Sequence, residues 1–192
     1  MRNTFRTDKA IAALTYLLDL SQGKNDKYWL NKVMYYIERE SILRFGEPMF
    51  FDDLYSMPLG PVSSSVNNGI DSSDQNKPIN TLWKEHICLK EYEGSHDVFL
   101  VYPGDYSLLS ESETELIEEA YNKFKNYNFF DIMNYFHNEI PEYEETKWND
   151  PQRKKPITYK TILIKNGYTD EEAEEIVNEI VYTKNLLSEV YG

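Results

Sequence analysis

At 192 residues the chain is short enough for one hydrophobic core, and its 41% hydrophobic and 15% aromatic content can offset ordering entropy without metal or disulfide staples. Twenty Lys and Arg stand against 33 Asp and Glu, and the net charge of −13 sets up a field that repels phosphates and disfavours direct DNA or RNA binding. Cys88 is alone, which excludes an internal disulfide and fits a reducing compartment, and no apolar run is long enough to cross a bilayer.

The start, Met1 to Arg6, leads into an amphipathic segment and lacks the apolar stretch of a signal peptide, so the expectation is a single cytoplasmic domain over residues 1–192. Thr7 or Asp8 opens a first helix whose apolar residues Ala10, Ile11, Ala13, Leu14, Leu17 and Leu18 share a face, and Gly23 ends it. A second helix is predicted from Tyr28 to Arg44, with Leu30, Val33, Met34 and Ile37 inward, Ile42 at the margin and Gly46 as its left-handed stop. From Glu47 to Leu59 the helical period is lost and Pro48 and Pro58 intervene, which predicts an extended connection over the core. Gly60-Pro61 suits a helix start, giving a short helix from Val62 to Asn68 closed by Gly69, then a polar surface loop to Pro78.

Ile87–Tyr92 and Val98–Tyr102 flank a Glu-Gly-Ser-His turn and read as a β-hairpin. Ser110 to Glu113 is a capping box opening a helix that buries Leu116, Ile117, Ala120, Tyr121 and Phe124. Phe129 to His137 predicts a short helix with Phe130, Met133 and Phe136 inward, followed by a charged loop from Pro141 to Pro156 pinned by Trp148. A further helix fits Tyr159 to Lys165, and a second capping box, Thr169 to Glu172, opens a last helix carrying Ala173, Ile176, Val177, Ile180, Val181 and Leu187. The expected fold class is mostly α, within α+β: a compact helical domain with a small β-hairpin.

Three pieces follow one another: Lys32 with Tyr36 in the second helix, Gly46 and Pro48 in the turn after it, then Gly60-Pro61-Val62. Together they resemble the signature of the Panacea (SocA-like) antitoxin domain, and His137 and Trp148 loosely resemble its later landmarks. The resemblance implies an antitoxin of a type II toxin–antitoxin system that neutralises its toxin by direct protein–protein binding. It also implies a small alarmone synthetase-like toxin, or another one, whose substrate or nucleotide site is covered. A proteolytic adaptor that delivers the toxin to a protease is the alternative the family allows, and an unrecognised enzyme is a third reading. Neither cofactor nor metal is implied.

Tyr35, Tyr36 and Arg39, with Phe50, Phe51, Asp52 and Asp53, are the candidate partner-binding residues. Tyr and Arg are enriched at interface hot spots, and carboxylates would pair with a basic toxin cleft. The structural reading stands beside it: tyrosines at a core edge with satisfied hydroxyls, phenylalanines packed inward. Lys32, Gly46, Pro48, Gly60, Pro61 and Val62 are taken as structural, although a Gly-Pro helix start also leaves free amides for an anion. Asp52 with Asp53, or His86, Cys88 and His96 across the hairpin, lack the further ligands a metal would need. No nucleophile, phosphate-loop or metalloprotease motif marks an enzyme.

Overall fold

The computed structural model describes residues 4–77 and 81–191, so the reading of Met1, Arg2 and Asn3 and the loop's end at Pro78 lie outside the described residues. In chain order the elements are α1 (Thr7–Leu20), β1 (Lys24–Asp26), α2 (Lys27–Phe45), β2 (Leu54–Met57), β3 (Gly60–Ser63), α3 (Ser64–Ser72), α4 (Leu82–His86), β4 (Ile87–Tyr92) and β5 (Ser95–Leu100). A 3-10 turn at Tyr106–Leu108 is followed by α5 (Glu111–Phe124), α6 (Phe129–Asn138), β6 (Lys155–Ile157), α7 (Tyr159–Lys165) and α8 (Asp170–Tyr191). The fold is α+β and mostly helical, as the periodicities predict.

Helix α2 is the axis of the molecule. Asp26 caps it by accepting the Tyr28 and Trp29 amides at 2.8 and 3.1 Å, and Gly46 ends it with φ +70°. Helices α1, α3, α5, α6 and α7 and strands β1, β3 and β5 all contact it. Every residue from Trp29 to Arg39 is therefore buried, not only the apolar stripe. One hydrophobic cluster runs around α2 from Ala10 to Ala173. The two capping boxes form as expected: Ser110 with Glu113 opens α5, and Thr169 with Glu172 opens α8.

The predicted hairpin is β4–β5, in register Ile87↔Leu100 to Tyr92↔Ser95, and β1 joins its edge to give a three-stranded sheet in the order β1-β5-β4. A second sheet, β3-β2-β6, was not expected. Its central strand is the end of the stretch read as an extended connection, and Gly60-Pro61-Val62 is its neighbouring strand instead of a helix start. The physical reason is the turn. Gly60 has φ +97°, which folds the chain back so that Met57 faces Gly60, and Pro61, without an amide hydrogen, stands on the edge strand where no ladder bond is lost.

Helix α3 consequently starts at Ser64, and its amides at Ser65 and Val66 are taken by the Asp52 carboxylate at 2.9 to 3.1 Å, leaving no free anion site. Nor does Gly69 close that helix. A Cβ there would fall 2.1 Å from the Trp83 ring, so glycine serves to seat Trp83 against the helix, which continues to Ser72. Two side chains expected inside lie outside: Phe130 is 66% exposed, and Trp148, 63% exposed, does not pin the charged loop.

Candidate partner-binding groove

Of the seven residues expected to meet a partner, six are buried, and the expectation that they form an exposed face is corrected by their bonding. Tyr35 and Arg39 both bind Glu142, at 2.9 and 2.6 Å, and Asn166 completes the group by bonding Arg39 and Glu142. Tyr36 packs edge-on against Phe124 with ring centroids 5.0 Å apart. Phe50 and Phe51 are core, and the buried Asp52 caps α3. The Phe50 and Asp52 amides, in turn, donate to Glu38 at 2.7 and 3.0 Å. The stretch after α2 is thus held down by a buried carboxylate, and its aromatics follow it inward. Asp53 alone of the seven is exposed.

What the structure opens to solvent is a groove of about 560 Å³ between the start of α2, the β2–β3 turn, α6 and the loop after it. Asn31 and Lys32 line it from α2, Leu59 and Gly60 from the turn, and Phe129 and Trp148 from the other side. Phe129 is 47% exposed and stacks on Tyr28 with centroids 4.7 Å apart. The neighbouring Phe130 extends this aromatic surface outward, its ring 5.6 Å from that of Phe129.

Two of the three motif pieces, Lys32 and Gly60-Pro61-Val62, meet under this groove, while Gly46 and Pro48 lie at the far end of α2. Lys32 Nζ donates to the Pro61 carbonyl at 2.8 Å and lies 5.1 Å from the Tyr28 ring. Gly60 has φ +97°, a conformation that strains any other residue, and a Cβ there would stand 3.1 Å from that nitrogen and 3.4 Å from the His137 ring, a tight fit. Burial holds the Lys32 amine well below the usual lysine range, and burial, then the nearby Lys32, lowers His137 as well. Two buried side-chain atoms here have no hydrogen-bond partner among the described residues: Asn31 Oδ1 and His137 Nε2. Tyr143 stacks on His137 at 4.8 Å and donates to the Met57 carbonyl, tying the loop after α6 to the turn.

The other constellations stay apart. Across the hairpin His96 lies opposite Glu91, whereas Cys88 lies opposite Phe99, three positions along the strand, and His86 faces the Tyr102 carbonyl at 3.0 Å. Among the described residues no three of His, Cys, Asp and Glu come together as metal ligands, and no helix is long and apolar enough to cross a membrane. Sequence reasoning missed Asn31, Phe129 and Leu59. The adjacent pair Phe129-Phe130 was the available signal, because two successive residues at the start of a helix point about 100° apart and cannot both face one core.

The α+β fold thus carries exposed Phe129 and Trp148 on one groove, with Phe130 beside it. The model of the SocA-like antitoxin family, Panacea domain, matches residues 30–148, and the chain belongs to that family. The match runs from Leu30 within α2 to Trp148 and so contains Lys32, Gly60, His137 and most of the groove's lining, with Asp26, Lys27 and Tyr28 before it and β6, α7 and α8 after it. No curated protein and no solved structure matches the chain. Membership assigns an antitoxin role, with a protein toxin as partner.

Proposed function

We propose that the protein neutralises a folded toxin by binding it directly through the aromatic rim of the groove, covering the toxin's substrate or nucleotide site. The observation that carries this reading is the exposure of Phe129 and Trp148 on the lining of one groove, with the 66% exposed Phe130 beside Phe129. A contiguous exposed apolar patch marks an interaction site. The net charge of −13 favours a basic partner surface, such as the substrate cleft of a small alarmone synthetase-like toxin. The hydrophobic cluster that runs from Ala10 to Ala173 supports a single domain.

The test uses purified toxin, the product of the adjoining gene, with no protease present. A stoichiometric complex without toxin activity is expected. Phe129→Ala with Trp148→Ala removes two exposed rings, so thermal stability should stay within about 0.5 kcal/mol of the parent. Affinity should fall by about 2 kcal/mol or more, as at interface hot spots. Binding without inhibition would favour delivery to a protease, and unchanged affinity in the double variant would remove the groove from the interface.

A further inference from the structure

The floor of the groove carries polar chemistry that the fold does not use. Asn31 is 5% exposed and Lys32 1%, both line the groove, and neither is fully bonded. Among the described residues Asn31 Oδ1 has no partner, and Lys32 Nζ, which keeps at least two N–H donors in either protonation state, makes one hydrogen bond, to the Pro61 carbonyl. Buried polar groups are normally paired, and an unpaired one is costly until a partner arrives.

We infer that the groove takes an extended segment of the toxin and reads its backbone, one peptide N–H donating to Asn31 Oδ1 and one peptide C=O accepting from Lys32 Nζ. This deepens the proposed function and rests on it. An amide is the group that answers both needs at once, because it offers one donor and one acceptor. The aromatic rings of Tyr28, Phe129 and Trp148 around this floor suit a segment with a cationic side chain, which the −13 field also draws in. A nucleotide fits less well. Its phosphates would enter against that field, and no glycine-rich run cradles them. Gly60 keeps the space beside Lys32 Nζ open, since any Cβ would fill it.

Peptides of 12 residues tiled through the toxin, titrated into the full chain, test the inference through the emission of Trp148, the exposed one of three tryptophans. One peptide is expected to shift that emission and compete with intact toxin, and N-methylation of a single backbone amide should weaken it about tenfold or more. In parallel, Asn31→Leu should weaken intact toxin by a similar factor with the melting temperature unchanged or raised, because it removes an unpaired buried acceptor. Intact toxin binding equally to the parent, Asn31→Leu and Lys32→Met overturns the inference and leaves direct neutralisation standing. An emission shift with ATP and not with peptide also overturns it. A parent chain that does not bind toxin removes both readings. Should Asn31→Leu fail to fold, the N-methylated series on the parent chain decides.

Discussion

Glu38 shows how a single buried group sets the course of the chain after α2. Its carboxylate accepts the Phe50 and Asp52 amides while standing fully buried, and burial pushes it from 4.5 up to about 8, against the pull of those two amide bonds. The folded chain therefore keeps a proton on Glu38 that the unfolded chain has released. The contribution of this group to stability is complete below about 4.5 and declines as pH rises to about 8. Glu38→Gln presents an NH₂ to one of the two amides and should cost about 1–3 kcal/mol at low pH. The difference in melting temperature between parent and variant should narrow from pH 5 to pH 8. A difference that stays constant across this range would mean that Glu38 is ionised in the fold throughout.

Between elements, Glu142 is the junction. From the segment after α6 it binds Tyr35 and Arg39 of α2 and Asn166 beyond α7, so one side chain joins three parts of the chain. Arg39 also pairs with Glu40 on its own helix, which explains how so charged a helix can be central. Glu142→Ala leaves Arg39 and Tyr35 buried with their shared acceptor gone, and removing one partner of a buried pair costs about 3–5 kcal/mol. Urea unfolding should show a loss of that size, with Glu142→Gln intermediate. A loss below about 1 kcal/mol, the level of an exposed pair, would show that the pair is solvated.

At the scale of the whole molecule, acidic charge outnumbers basic by 13, and α8 carries Asp170, Glu171, Glu172, Glu174, Glu175 and Glu179 within ten residues. Lys160 pairs with Asp170 and Glu174 at the surface, which offsets part of this charge locally. The remaining field is long-ranged at low salt and screened within about 10 Å at 0.1 M. Toxin association measured by stopped flow should therefore slow about tenfold between 0.05 and 0.5 M salt, while dissociation changes little. An association rate indifferent to salt would show that the field does not steer the encounter.

Most of the helices, the capping boxes of α5 and α8, the glycine stop of α2, the hairpin and the family resemblance were legible in the sequence because each rests on local chemistry: a capping box, a left-handed glycine, a 3.6-residue period, or three motif pieces in fixed order, whereas α4 and both ends of α3 were not. The second sheet was not, since β2 and β6 pair across about a hundred residues, and no local signal tells an edge-strand Gly-Pro from a helix start. Tyr35, Arg39 and Asp52 have the residue types of an interface. Their acceptors and amides come from Glu142, Ser65 and Val66, distant enough in sequence that only folding brings them together and turns them inward. The same logic hid the groove. Phe129 and Trp148 are left outside because α2 is already covered by Phe124, Phe136 and the β3 edge, and which apolar residues remain uncovered is a property of the packed whole.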